Sequence, residues 1–203
     1  MYIQRHFKML EKECFKMLKK HSFGQLITSF NDQITQTYVP FIIDQNNACL
    51  YGHIAKQNRQ IECLQNSDDL TVTFLGSDAY ISPNWYGSPD QVPTWNYQAV
   101  EIKGKATLLD NDGTLKVIVG LSQIHESQFE VPWTIDKMSN KKLNAMLRAI
   151  VGFRIDIIEM NGQSKLSQNK NIEDRQSVIK GLGTTKEQAS HRIAELMNEE
   201  IEP

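Results

Sequence analysis

The chain has 203 residues, 40% of them hydrophobic and 23% charged, with a formal net charge of −2. That length suits one large domain or one domain with an appendage, and the slightly acidic balance excludes a broadly basic nucleic-acid-binding surface. No apolar run approaches the ~20 residues of a membrane span, and the N-terminal MYIQRHFKML lacks the apolar core of a signal peptide, which predicts a cytoplasmic protein with no membrane partner.

Residues 5–20 carry a helical stripe of Phe7, Leu10, Cys14, Met17 and Leu18. Lys8, Lys12, Lys16, Lys19 and Lys20 cover its other faces. With an acidic whole chain they read as a solvated face rather than a site for nucleic acid or acidic lipid. Phe23–Phe30 is a predicted strand, Asn31-Asp32-Gln33 a polar turn and Ile34–Ile43 a second strand, in which Pro40 marks an edge, a bulge or a place where another group approaches the backbone. Asp44–Asn47 turns into a third strand over Ala48–Ile54, an antiparallel pattern. His53–Gln60 then leads into a short helix containing Ile61, Cys63 and Leu64. His53, Lys56, Asn58 and Arg59 gather where free helix amides suit phosphate, although an ordinary surface junction looks the same. Leu70–Leu75 is a strand, and Gly76–Asp78 a predicted turn.

The stretch AYISPNWYGSPDQVPTWNY, residues 79–97, holds two of the three tryptophans and three of the six prolines. Proline excludes a helix there. Large rings on a stiffened loop either plug a core or interface or wall a pocket for a flat ligand. Asn96–Leu109 is a strand, with Gly104 permitting a bend. Thr114–Ser127 is a helix with Leu115, Ile118 and Val119 inward, and Asn140–Ile150 a helix with Leu143, Met146, Leu147 and Ile150 on one face. Val151–Met160 is a strand, Asn161-Gly162 a hairpin turn, and Gly162–Gln168 its continuation. Asn171 caps a helix that ends near Gly181 and Gly183. The tail from Thr185 is amphipathic, with Ala189, Ile193 and Leu196 on one face, placed on a partner subunit or left mobile. The predicted organisation is a domain over 1–183 and a helical tail over 184–203. The class is α+β, mainly antiparallel β: a barrel with inserted and C-terminal helices.

No GxSxG, P-loop, HExxH or GxGxxG is present. The histidines are scattered, at 6, 21, 53, 125 and 191, which gives no metal site, and Cys14, Cys49 and Cys63 read as buried free thiols. What remains is a constellation for a flat anionic ligand, with its phosphate at His53–Arg59 and its planar part at the aromatic loop and the Pro40 strand. Flavin mononucleotide (FMN) has both parts, and the redox chemistry would be the cofactor's. The residues alone leave FMN, haem and a plain packed core all open.

The segments MYIQRHF, TYVPFIID, YGHIAKQN, AYISPNWY, VPTWNY, RAIVGFRIDI and KLSQN, in that order, resemble the PaiB family. The resemblance runs from Met1 to about Leu182 and leaves 184–203 outside. It implies an FMN-binding split β-barrel of six strands, a homodimer with two ligand sites at the subunit interface, and a role as a negative transcriptional regulator. By that resemblance His53, Lys56 and Asn58 hold the phosphate, and the ring lies near Val39, Pro40 and Tyr51. The partner subunit would supply Ser82, Trp85, Trp95 and Tyr97, with Ser167 and Gln168 as further contacts. Where the family has Trp before KLSQN this chain has Ser164, which implies a more open site. Related haem-binding split barrels make His53 or His125 alternative axial ligands. Any catalysis would be that of a flavin-dependent oxidoreductase. A direct DNA partner finds no helix-turn-helix and no basic excess. A regulator with an empty pocket, its aromatics cementing the dimer, is the third reading.

Overall fold

The computed structural model describes residues 1–30, 32–66 and 70–201, the side chain of Phe30 apart. Asn31 of the predicted turn and residues 202–203 of the predicted tail lie outside the described residues. The elements are α1 (Glu11–Lys20), β1 (Phe23–Phe30), β2 (Gln33–Pro40), β3 (Ile42–Asp44), β4 (Cys49–Ala55), α2 (Gln60–Asn66), β5 (Leu70–Ile81), β6 (Thr94–Leu108), α3 (Asn111–Glu126), α4 (Asn140–Ala149), β7 (Ile150–Lys165), α5 (Ile172–Gly183) and α6 (Gln188–Glu199). The strands form one sheet in the order β2-β1-β5-β6-β7-β4-β3. β1 pairs antiparallel with β2 and β5, and β4 with β3 and β7. This is the expected α+β class. Among the described residues no helix is long and apolar enough to cross a membrane.

The chain divides into two compact units, one of Leu18–Phe74 and Glu101–Met160, the other of Met1–Met17, Leu75–Val100 and Asn161–Pro203. The first unit holds the barrel. β2 and β3 lie at opposite edges of the sheet, yet only Phe41 separates them in the chain. The sheet must therefore curl until its edges meet, the way a sheet closes into a barrel. Pro40, expected at an edge or bulge, ends β2 at this break. Phe41 turns inward, with its amide donating to the Ser22 carbonyl at 2.8 Å. Its ring meets Phe74 and Phe153 edge-on, with centroids 5.4 and 6.1 Å away. Leu26, Leu50, Val72, Ile102 and Ile155 are buried in this unit too. Emptying such a site by Phe→Ala costs roughly 3–5 kcal/mol.

α3 starts earlier than the sequence suggests, because Asp110 caps it, accepting the Gly113 amide at 2.7 Å. Its buried residues are Thr114, Val117, Ile118 and Leu121, rather than the expected Leu115 and Val119. Thr114 fixes that rotation, since its hydroxyl accepts the Gly152 amide at 2.9 Å.

In the second unit two predicted turns are absent. β5 runs through Gly76–Asp78 and β7 through Asn161–Gly162. No glycine has a positive φ. A Cβ on Gly162 would stand 2.9 Å from the Cβ of Met9 and closer still to the Cys14 sulfur. One on Gly76 would stand 3.1 Å from the Met17 methyl. Both glycines let α1 and its lead-in approach the strands closely, which is the other reason a strand keeps glycine. Leu10 is exposed, because it lies just before α1, where its amide donates to the Glu13 carboxylate at 2.6 Å, and Phe15 is buried instead. The tail helix α6 packs on α5 of its own chain. Ile193, Ala194 and Met197 join Ala79, Ile81, Leu166, Val178 and Leu182 in one apolar cluster. The buried face is thus Ser190, Ile193, Ala194 and Met197; Ala189 is exposed.

Candidate functional site

The barrel unit offers the first half of the predicted site. Along β4, Leu50, Gly52 and Ile54 face one side and Tyr51 and His53 the other, as strand alternation requires. Tyr51 pairs with Ile42 and Arg154, and His53 with Gly152. The start of α3 is tied down at that last position, for Leu109 donates to the Gly152 carbonyl at 2.9 Å and Gly152 donates to Thr114. Between helix and strands opens a cavity of 380 Å³ lined by Ile42, Tyr51, Leu109, Gly113, Lys116 and Val117. Its walls are largely apolar, with Tyr51 on one side and Lys116 as the one charged residue of the lining. The Arg154 guanidinium sits 6.0 Å from the centre of the Tyr51 ring and pairs with Asp156 at 2.6 Å.

His53 stands two residues along the same strand face. Burial lowers its pKa below the ordinary 6.5, so its imidazole is held neutral. Its Nδ1 is buried and has no hydrogen-bond partner among the described residues. Leaving such a group unsatisfied costs about 1–3 kcal/mol.

The turn after β4 is more self-contained than the sequence suggests. Asn58 donates from Nδ2 to the Thr37 hydroxyl at 2.9 Å and accepts the Gln60 amide at Oδ1, also at 2.9 Å. The Ile61 amide donates to the Asn58 carbonyl. Those first amides of α2 are therefore occupied. Gln60 is fully buried and donates from Nε2 to Leu26, Thr28 and Thr35, which pins the helix to β1 and β2. Lys56 is exposed, with one proton on the Leu147 carbonyl at 3.2 Å. Arg59 is exposed as well. Val39 is buried in the core, and Pro40 is half-buried at the end of β2.

The other predicted residues fall in the second unit. Ser82 caps the 3-10 turn Pro83–Trp85, accepting the Asn84 amide at 3.3 Å. Trp85 lies against α5 at Gly181. The loop after it is clasped by Asp174 in the first turn of α5, whose carboxylate accepts the Gly87 amide (2.9 Å), the Ser88 amide (3.0 Å) and the Ser88 hydroxyl (2.7 Å). The Ser88 hydroxyl foremost, then the two amides and the nearby Lys170, lower the pKa of Asp174 despite the cost of its burial. Trp95 is 53% exposed and meets Tyr80, itself 46% exposed, edge-on at 6.0 Å. Tyr97 is half-buried. Ser167 is buried with φ of 62° and exchanges hydrogen bonds with the Asn96 amide. Gln168 closes its own loop, donating to the Ser164 carbonyl and accepting from the Leu166 amide, both at 2.7 Å. Ser164 is buried, and its hydroxyl accepts from Gln98 at 3.1 Å. His125 is exposed on the last turn of α3. The lining residues Leu109, Gly113, Lys116 and Val117 were not anticipated, and neither was Asp174.

The family model described as "Putative FMN-binding domain" matches residues 1–159. Protease synthase and sporulation protein PAI 2 of Bacillus subtilis is 34% identical over 204 residues, covering 99% of this chain and 98% of that protein. That match leaves no room for a 20-residue tail outside it, so the shared sequence runs on past Leu182. Among solved structures, the flavocytochrome Anf3 of Azotobacter vinelandii aligns with a TM-score of 0.58 at 14% identity, over 80% of this chain and 72% of that one. The FAD and heme binding protein of Mycobacterium smegmatis aligns with a TM-score of 0.59 at 9% identity, over 83% and 77%. At such identities these two structures speak for the fold alone.

Proposed function

We propose, from the premise that this chain belongs to the PaiB family of FMN-binding domains, that it binds FMN on the outer face of β4 and acts as a flavin-responsive homodimer. The observation that carries this reading is the buried, unpartnered Nδ1 of His53, two residues along the strand face from Tyr51, which lines an apolar cavity. An apolar cavity with a buried polar atom on the same strand face is what a ring with polar edges needs. Tyr51 and the half-buried Pro40 would flank the ring. Lys56, with Arg59 beside it, would meet the phosphate through its remaining ammonium protons. Asn58 would shape that corner by holding the turn, one of its two amide protons being on Thr37 and its Oδ1 on the Gln60 amide. A bound flavin would supply hydride and one-electron chemistry, while the protein supplies position and electrostatics. From a second copy, Trp95 of the partner subunit, with Tyr80 of the partner subunit against it, would cover the ligand. Ser82, Trp85, Tyr97, Ser167 and Gln168 enter this reading as residues that build the loops around that cover.

The relative's name ties it to protease synthase and sporulation. For this chain a regulatory role through ligand occupancy fits better than direct DNA contact. The net charge is −2, and Lys16 of α1 is paired with Glu199 at 3.5 Å. A gel shift on upstream DNA should show no affinity beyond the salt-sensitive nonspecific kind.

The test is the visible spectrum of freshly purified protein together with mass analysis of the small molecules it releases. Flavin absorption and FMN in the released fraction support the reading. A haem Soret band, or a colourless protein that takes up no added FMN, would defeat it.

A further inference from the structure

The second unit contains a separate cavity of 140 Å³, lined by Tyr86, Val92, Thr94, Asn96, Lys165, Ser167, Asn169 and Lys170. It forms where β7 gives way to the cap of α5. Ser167, with its left-handed backbone, turns the chain there. Asn96 on β6 holds the turn, its Nδ2 donating to the Ser167 hydroxyl at 3.0 Å and its Oδ1 accepting from that hydroxyl at 3.2 Å. Gln168 locks the other side. The loop is thus fixed by hydrogen bonds, and its two lysines border the cavity from a braced frame.

Their donors are only partly used. The Lys165 ammonium donates to the Thr94 hydroxyl and to the Trp95 carbonyl at 2.7 Å. The Lys170 ammonium donates to the Gln91 side-chain carbonyl at 2.6 Å and sits 5.3 Å from the centre of the Tyr86 ring. An ammonium has three protons, which leaves one on Lys165 and two on Lys170. Among the described residues no carboxylate lines the cavity. Asp174, the acid that feels Lys170, already holds three donors from Gly87 and Ser88. Burial lowers the Lys165 pKa, as expected for a cation short of a counter-ion. Lys16 and Lys103, by contrast, meet Glu199 and Glu159 directly, while Lys19, Lys56 and Lys137, like the cavity pair, donate to neutral oxygens. Two ammonium groups with protons to spare, at one cavity without an anion, form an electrostatic deficit that an oxyanion fills with charge-assisted hydrogen bonds.

We propose that this cavity is a second binding site, for the phosphate or carboxylate head of a small anionic ligand, with Lys165 and Lys170 as its cationic contacts and the Asn169 amide beside them. The site needs nothing from the β4 face and stands whether or not a flavin binds there.

The experiment is a titration of the full chain with inorganic phosphate and, separately, with acetate, against sodium chloride at matched ionic strength. Binding is read as the shift in thermal midpoint. One of the two ions should give a saturable rise that chloride does not, and which one does so tells the phosphate from the carboxylate source. Lys170→Met should weaken that ion about tenfold, the loss of one charge-assisted contact, and Lys170→Arg should restore most of it. Lys165→Met also unties Thr94 and Trp95 and is open to misfolding, so the Lys170 pair decides. Equal response to chloride, or unchanged binding in Lys170→Met, would overturn the proposal. Competition between added FMN and the bound ion would merge the two sites and overturn it as well.

Discussion

Trp85 bears most sharply on how the aromatic loop is used. A Cβ on Gly181 would stand 2.7 Å from its Cδ1 and nearer still to Cγ and Cδ2, whereas carbon atoms rest at about 3.5–4.0 Å. Gly181→Ala must therefore drive the ring back by about 1 Å. Overpacking of that kind costs ~1–3 kcal/mol. The backbone itself favours the change, since Gly181 is helical without a positive φ and alanine there gains ~1 kcal/mol of helix propensity. The net expectation is a loss of about 1 kcal/mol, or roughly 2–4 °C in thermal midpoint for a chain of this size. In a Trp85→Ala background the clash is gone and the sign reverses, so Gly181→Ala stabilises by about 1 kcal/mol. The coupling between the two sites is then ~2 kcal/mol, within the range found for residues in contact. Urea denaturation followed by circular dichroism on the four proteins measures it. If Gly181→Ala has the same effect in both backgrounds, Trp85 does not rest on α5, and its face is free for a ligand.

Gly162→Ala should lose at least as much, ~1–3 kcal/mol, because Met9 and Cys14 stand where the methyl would go; a thermal melt near the wild-type value would refute the close approach. His53 has a folded pKa below 6.5 through burial, so the unfolded chain binds its proton first. Stability should therefore rise with pH up to about 6.5 and fall below it, and His53→Leu should flatten that slope in urea titrations at several pH values. Asp174 is depressed in the folded state, chiefly by the Ser88 hydroxyl, so its contribution is full above the ordinary carboxylate range and is lost on acidification. Asp174→Asn should be clearly less stable than wild type at neutral pH, and the gap should close as the pH falls through the carboxylate range.

Much of the barrel was legible because strand alternation and proline placement are local signals. Pro40 signalled an irregularity in a strand expected to run on to Ile43, which breaks at Phe41, and Asn171 marked a helix start. The glycines misled for one physical reason. A sequence does not distinguish a glycine kept for a turn from one kept for contact, and Gly76 and Gly162 are of the second kind, facing α1 across a long separation in the chain. The candidate site was half legible in the same sense. Tyr51 and His53 share a face because they are two residues apart, which alternation alone predicts. That Asn58 donates to Thr37, that Asp174 holds the loop at Ser88, and that Lys165 and Lys170 share a cavity are all tertiary facts without a local pattern.

The flavin reading is tested most directly by calorimetric titration of FMN and of riboflavin into wild-type protein and Lys56→Ala. The two ligands share the ring and differ in the phosphate. FMN is predicted to bind wild type at least about tenfold more tightly than riboflavin, ~1.4 kcal/mol, and Lys56→Ala to remove most of that difference while leaving riboflavin binding alone. Equal affinity for the two ligands in wild type, or no FMN uptake at ~100 μM free ligand, would contradict it.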